Sequence, residues 1–454
     1  MLRQLIEQLQ DQLIQQHHHH HRPSLDPSHS SQLVLLQQPP HRHQIDSPSL
    51  DELDFISANG GCYNLVLMAE KSESFKMLDP CNPQAAKRPR GRAGRSAHRS
   101  KMMDEEIWKD FPGDLFEAVI ARLPVPTFFR FRSVCRKWNS ILTSSSFSRQ
   151  CDLVQPSQPW FYTITHENDG SAMYDPCSKK WYQVILPPTP VKSFRLPVAS
   201  AGGLVCCLDI RHKKFQVLNP LTRSCKELPP LSAKVWSQYA VGMTSKGNSS
   251  TMGYKILWLK SDGEHEIYDS EKDSWSCPGS MMSSVRLPLC LNFQSQSICV
   301  GDTLYFMRSE PDGLVSYNMA SGLWKQSIIP KPPHIMDDTL AECEGRIMLV
   351  GLLTKNAATC VCVWELQKMT LLWKEVDRMP NILCLEFYGK HVRMTCLGNS
   401  GLLLVSLRYR QINRLVTYNI LSREWQKIPG WHKKKRQWTT RGTYFQPRPT
   451  ALIY

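Results

Sequence analysis

Apolar and polar positions follow one rhythm in a short central stretch and another in everything after it. Within residues 107–147, Leu115, Phe116, Val119, Ile120 and Leu123 recur at helical spacing and predict an amphipathic helix that starts at Phe111-Pro112. Proline suits a first helical turn, where its missing N–H costs nothing. Pro124 and Pro126 then break the pattern. A second helical stripe follows in Phe128, Phe131, Val134, Cys135, Trp138, Ile141 and Leu142, with Arg130, Arg132, Arg136 and Lys137 between them. The serine run 144–146 is read as its end. About forty residues of this kind carry more large apolar groups than they can hide among themselves, so a face is left over for the rest of the chain or for a partner.

From Trp160 onward the period shortens to that of strands, and one unit recurs. An apolar pair precedes Asp or Asn, a polar turn follows, and a Trp stands six residues after the Asp or Asn. The copies are Tyr174-Asp175 to Trp181, Leu218-Asn219 to Cys225, Tyr268-Asp269 to Trp275, Tyr317-Asn318 to Trp324, and Tyr418-Asn419 to Trp425, with a looser one from Trp364-Glu365 to Trp373. The Asp/Asn/Glu positions lie 44, 50, 49, 47 and 54 residues apart. A period near fifty residues marks kelch-type propeller blades. Each copy reads as a hairpin, because Asp and Asn side chains bond the backbone that follows them in a turn. A glycine followed by an apolar strand precedes most copies, at Gly202-Gly203, Gly301, Gly345 and Gly401. Six markers predict six blades, or seven if the flanks contribute another. The tail turns apolar again at Thr443-Tyr444-Phe445, which predicts a strand that closes the ring beside Trp160-Phe161-Tyr162.

The helical stretch resembles an F-box. The F-box pattern L-P-x-D-L-L, I-L-x-R-L-P and L-x-R-x-x-x-V-C-x-x-W is met by Phe111 to Phe116, Val119 to Pro124 and Phe129 to Trp138, with Phe111 and Phe116 where leucine is usual. With the repeats behind it, the chain resembles the plant F-box/kelch-repeat proteins over residues 107–454. The expected fold class is α+β multidomain. Residues 1–105 are mostly disordered, 106–150 form a three-helix F-box and 155–454 an all-β propeller. The resemblance implies that Phe111, Pro112, Leu115, Phe116, Val119, Ile120, Leu123 and Pro124 dock a Skp-type adaptor and, through it, cullin and RING subunits. It assigns Val134, Cys135 and Trp138 to the F-box core. It further implies a non-catalytic specificity subunit whose propeller binds a protein substrate. Neither a catalytic residue nor a cofactor nor a metal is then called for.

Composition refines this picture. No run approaches the roughly 18 apolar residues of a membrane span, so a soluble chain is expected, and MLRQLIEQLQDQLIQQ at the start lacks the features of a secretory signal. It can form a short amphipathic helix, while His17–His21 reads as a low-complexity run and Tyr63–Met68 as a short docking motif. Sixteen cysteines without a CxxC pair point to a reducing compartment. The net charge of +15 is concentrated in 87–101, with seven basic residues, and in Lys433–Arg448, with six. Lys87, Arg88, Arg90 and Arg92 form an exposed cluster suited to nuclear import, so the nucleus is the favoured location ahead of the cytoplasm. Two other functions compete. The first is a nuclear transcription-modulating or nucleic-acid-associated scaffold using its basic segments. The second is a copper oxidase on a propeller, which would need clustered histidines that the spacing of His166, His212, His265, His334, His391 and His432 does not provide. Direct nucleic-acid binding is not expected, nor is a membrane partner. Candidate substrate loops are 187–199, 229–238, 276–297 and 330–339.

Overall fold

The computed structural model describes residues 112–453 apart from 133–135, 155–157, 165–170, 185–194, 210, 233–238, 246–252, 278–286, 288–296, 411 and 430–440. Phe111, Val134, Cys135, the basic cluster Lys87, Arg88, Arg90 and Arg92, the basic run Lys433–Arg436 and the whole of 1–105 lie outside the described residues.

The helical part contains α1 (Gly113–Ala121), α2 (Val125–Phe131), α3 (Arg136–Ser140), a 3-10 turn (Ile141–Thr143) and α4 (Ser145–Leu153). The three-helix expectation is therefore corrected to four among the described residues. The serine run does not end the unit; it opens another helix. Serine is a strong N-cap because its hydroxyl accepts from an otherwise orphaned backbone N–H, and Ser144 Oγ accepts from the Phe147 N–H at 3.2 Å. Glu117 on α1 accepts from Ser144 Oγ at 2.9 Å and from Ser146 Oγ, which sets a carboxylate at the N-terminus of α4, where the helix dipole favours it. Trp138 packs edge-on against Phe116 at 5.0 Å and tilted against Phe131 at 5.2 Å, while Phe128 stacks on Phe147 at 5.7 Å. With Ile120, Leu123 and Ile141 these rings fill the centre of the unit.

Strands β1 (Trp160–Ile164) to β24 (Arg441–Phe445) form six four-stranded antiparallel sheets. Blade 1 is ordered β24-β1-β2-β3 and spans Trp160–Ile164, Ser171–Asp175 and Lys180–Val184 with the C-terminal strand inside. Blades 2 to 6 are then β4–β7 (Arg195–Glu227), β8–β11 (Tyr239–Ser276), β12–β15 (Ile298–Ile328), β16–β19 (Ile335–Arg378) and β20–β23 (Arg393–Ile428), each a simple meander. Their inner strands are β4 (Arg195–Ala201), β8 (Tyr239–Ser245), β12 (Ile298–Val300), β16 (Ile335–Cys343) and β20 (Arg393–Asn399). Further out, β17 (Arg346–Lys355) pairs with β18 (Ala358–Gln367), and β21 (Leu402–Tyr409) with β22 (Ile412–Asn419). The innermost strands β24, β4, β8, β12, β16 and β20 touch in cyclic order, so the ring is closed. The expected closure is met in register, with Trp160 opposite Phe445 and Phe161 opposite Tyr444. The alternative of a seventh blade is dropped, because the tail completes blade 1 instead of adding another.

Apolar burial follows the interfaces between blades. Six buried clusters each draw on two neighbouring blades. One joins Phe161 and Tyr174 of blade 1 to Leu397, Leu404 and Leu415 of blade 6, and another joins Val350, Val363 and Met348 of blade 5 to Met394, Val405 and Tyr418 of blade 6. A sheet cannot hide both faces by itself, whereas blades packed around a ring cover one another.

Candidate functional surfaces

The repeated sequence marks fall at one end of the ring. Inner strands run toward this end, turn at Gly202-Gly203, Gly301, Gly345 and Gly401, and in every blade but the fifth the third strand returns to end on the Asp or Asn marker. The two turns touch there: Met319 N–H donates to Asp302 C=O and Ile420 N–H to Gly401 C=O, both at 2.8 Å. We call it the turn end. The connections between blades gather at the other, the connection end.

Each marker acts as the repeat implied. Asp175 Oδ1 accepts from the Cys177 and Ser178 N–H groups, Asn219 Oδ1 from Leu221 and Thr222, Asp269 Oδ1 from Glu271, Asn318 Oδ1 from Ala320 and Ser321, and Asn419 Oδ1 from Leu421 and Ser422. Four residues after the marker the backbone adopts a left-handed conformation, at Lys179, Arg223, Asp273, Gly322 and Arg423. The residue before the marker faces the Trp across the strands: Tyr174 opposite Trp181, Tyr268 opposite Trp275, Tyr317 opposite Trp324 and Tyr418 opposite Trp425. Burial, the larger cause, together with a neighbouring carboxylate pushes the phenols of Tyr268 (Asp273) and Tyr418 (Asp377) well above their ordinary range, so both stay neutral, and Tyr268 Oη donates to Asp273 Oδ1 at 2.7 Å.

Several indoles also tie a blade to the one before it. Trp181 Nε1 donates to Pro429 C=O at 2.9 Å, Trp275 Nε1 to Pro229 C=O at 2.8 Å, and Trp425 Nε1 to Asp377 Oδ2 at 3.2 Å. In blade 2 the corresponding pair is Leu218 with Cys225. In blade 5 the marker read at Glu365 is corrected to Gln367: Leu366 faces Trp373, and Leu371, at the left-handed position, donates its N–H to Gln367 C=O at 2.9 Å. The spacing from Gln367 to Trp373 is thus six residues, as in the other blades. Gln367 and Cys225 depart from the side chains by which the repeat is recognised.

The helical unit sits at the turn end. Val125 packs on the cluster of Trp160, Tyr182 and Phe445, which also includes Leu221 from the blade 2 turn. The chain beyond β24 bridges the two parts. Arg448 Nη1 approaches Asp152 Oδ1 at 4.0 Å, and Asn219 Nδ2 donates to the carbonyls of Arg448 and Ala451 at 3.2 and 3.1 Å. A Cβ on Gly203 would lie 2.6 Å from Arg448 Cβ, so only glycine lets the tail cross there. Burial, helped by Asp152, pushes the Cys151 thiol up to about 12 at this joint, so it is protonated.

The residues assigned to adaptor docking divide. Pro112, Leu115 and Pro124 are exposed, with Leu115 at 51%, and Phe116 and Val119 are half-buried. Ile120 and Leu123, at 2% and 7%, face inward. For these two the surface assignment is corrected: they hold the helical unit together, as Trp138 does at 8%. On the ring axis a funnel of about 600 Å³ opens at the turn end, lined by Ser200, Thr244, Glu342, Asn399 and Tyr444 among others. Among the described residues no three His, Cys, Asp or Glu side chains form a metal-binding group, and no helix is long and apolar enough to cross a membrane.

This order of parts, a helical unit and then a closed six-bladed ring, has counterparts among known proteins. The F-box domain matches residues 108–150, and the β-propeller described as F-box protein At3g26010-like matches residues 174–442. The chain belongs to the F-box proteins that carry a β-propeller. It is 53% identical to F-box only protein 6 of Arabidopsis thaliana over 99% of this chain and 98% of that one. It is also 27% identical to the F-box/kelch-repeat protein At3g61590 of the same plant, over 74% of this chain and 88% of that one, and 26% identical to Protein UNUSUAL FLORAL ORGANS, over 72% and 80%. The kelch-type repeat read from the Trp spacing is thereby placed in its family.

The four candidate substrate loops all span sequence between consecutive blades; 330–339 is described throughout, whereas 187–194, 233–238, 278–286 and 288–296 lie outside the described residues. Residues 195–199 and 335–339 are themselves inner strand. Sequence reasoning missed one connection between blades, 379–392, which carries a helical turn (α5, Asn381–Cys384) followed by a 3-10 turn (Leu385–Phe387). Its own signal, Ile382, Leu385 and Tyr388 at three-residue spacing, is too short to be read as a helix.

Proposed function

We propose that this chain is the substrate-receptor subunit of a Skp–cullin–F-box ubiquitin ligase. The observation that carries the reading is an F-box fixed to the turn end of a closed propeller, with the connection end uncovered among the described residues. In this arrangement the adaptor takes the exposed face of the helical unit around Pro112 and Leu115, next in sequence to Phe111, and the ring holds a substrate opposite. Ubiquitin transfer occurs on a recruited conjugating enzyme, and this subunit contributes proximity. The double substitution Phe111→Ala with Leu115→Ala is expected to abolish co-purification of a Skp-type adaptor and to leave the propeller's thermal transition in place. Normal adaptor capture by that variant would overturn the assignment.

We further propose a nuclear site of action, supported by the cluster Lys87, Arg88, Arg90 and Arg92. Alanine at these four positions is expected to move a fluorescent fusion toward the cytoplasm, and an unchanged distribution would remove the role. A part in plant development fits the name of the relative UNUSUAL FLORAL ORGANS.

A further inference from the structure

The connection between blades 5 and 6 carries helical structure of its own. Residues 381–388 fold into α5 and the following 3-10 turn, and the segment has two faces. Cys384, Phe387 and the later Val392 point inward, at 8%, 1% and 3% exposure, into the cluster shared by blades 5 and 6. Ile382, Leu385 and Tyr388 point outward, at 81%, 68% and 64%. Three large apolar side chains in eight residues, all turned to water, cost solvation free energy that the fold does not recover.

The segment is held in place rather than left to adapt. The Glu386 carboxylate accepts from Arg414 Nε at 2.7 and 2.9 Å. Gly389 N–H donates to Ala357 C=O at 2.9 Å, tying the segment to the β17–β18 hairpin, and Lys390 Nζ lies 5.6 Å from the centre of the Tyr409 ring. Behind it Cys360 Sγ and Cys384 Sγ both reach Met379 C=O, at 3.4 and 3.8 Å. A pinned apolar patch binds without an ordering cost, which is what separates a docking surface from a floppy loop.

Charge around the patch is predominantly positive. Arg393 and Arg408 stand opposite each other in the β20–β21 register, Arg408 and Arg410 are exposed, and Lys390 and Arg414 lie on the near side. Against these five cations stand Glu386 and Asp337, and both are engaged, by Arg414 and by Arg393 at 3.1 Å. Like charges directly opposite each other destabilise a sheet, and Asp337 offsets only the Arg393 member of this pair. The complement of such a surface is a chain that carries both acids and a large apolar side chain. Phosphate backbones satisfy the arginines but leave Ile382 and Leu385 in water, so protein is the better match.

We propose that Ile382, Leu385 and Tyr388, with the basic rim of Arg393, Arg408 and Arg410, form a docking surface for an acidic, apolar-anchored segment of a partner protein. This deepens the receptor reading and rests on it, since the surface lies at the end of the ring away from the F-box. The test uses the full chain co-purified with its adaptor and a fluorescent Glu-rich peptide bearing one Leu and one Phe, read by anisotropy. The wild-type complex is expected to bind this peptide, more weakly as salt is raised, and to bind poorly the same peptide with Lys in place of Glu. Ile382→Ser with Leu385→Ser, and separately Arg408→Glu with Arg410→Glu, should each weaken binding by about tenfold or more. All four positions are exposed, so the variants should keep the wild-type melting temperature and adaptor capture. No binding by the wild-type complex, unchanged binding by both variants, or displacement of the peptide by short duplex DNA would each overturn the proposal. Loss of adaptor capture by the wild-type chain would instead overturn the receptor reading.

Discussion

The two ends of the ring obey different rules. At the turn end the blades are nearly interchangeable: an Asp or Asn closes the turn, a left-handed residue follows, and a Tyr meets a Trp across the strands. At the connection end the described linkers differ in length and content, from the short Ile329–His334 to the helical 379–392. Repetition marks what every blade needs in order to pack, and function is free to settle where repetition stops. The turn end is spent on structure in a second way, because it also carries the C-terminal tail and the helical unit.

The largest test of this contrast removes the tail. Deleting all residues after Gly430 takes away β24, leaves β1 with an open inner edge, and strips Asn219 of its carbonyl partners at Arg448 and Ala451. An exposed strand edge invites aggregation. The truncated chain is expected to lose its cooperative thermal transition and to become protease-sensitive within the propeller. A truncated protein that melts cooperatively at the full-length temperature would mean that the ring is closed without β24.

A middle-sized test compares two markers that share a sequence role but not a structural one. Asn419 caps its own turn through Leu421 and Ser422. Asn219 caps its turn and, fully buried, also donates to the tail. Replacing Asn419 by Ala should cost about 1 kcal/mol, and replacing Asn219 by Ala roughly 2–4 kcal/mol, since the latter leaves buried carbonyls unpaired. Equal losses in chemical denaturation would show that the tail contributes nothing through Asn219.

The same contrast explains what could be read from the sequence. The helical stripe, the six hairpins and the returning strand were legible because each depends on residues close together in the chain, with spacings fixed by turn and strand geometry. Blade 5 reads two residues out of register from sequence alone, because Gln367 lacks the short side chain that makes an Asp or Asn turn and Glu365 is the nearest acidic substitute. The serine run interrupts the helical stripe and so reads as a stop, yet serine is a preferred cap for the start of the next helix. The inward turn of Ile120 and Leu123 depends on α4, whose Phe147 lies outside the matched pattern. The patch at Ile382, Leu385 and Tyr388 had no repeat to announce it. Its meaning comes from arginines up to 32 residues away in sequence, brought near by β20–β22.

The smallest expected effect lies in the left-handed residue of each turn. Gly322 fills this position in blade 4 at φ +71°, where a Cβ would meet only Tyr317 Oη at an ordinary 3.6 Å. Lys179 fills it in blade 1 at φ 53° with its side chain exposed. An L-residue in this region carries roughly 1–2 kcal/mol of strain, partly offset because glycine gives the unfolded chain more freedom to lose. The two turns are built alike, so the net sign is set by strain and not by contacts. Lys179→Gly is therefore expected to stabilise the propeller by about 0.5 kcal/mol, and Gly322→Lys to destabilise it by a similar amount. Denaturant midpoints measured on both variants decide the matter. If Lys179→Gly is instead destabilising, the lysine makes a contact at the turn end that its exposure hides, and the blades are less interchangeable there than their shared geometry implies.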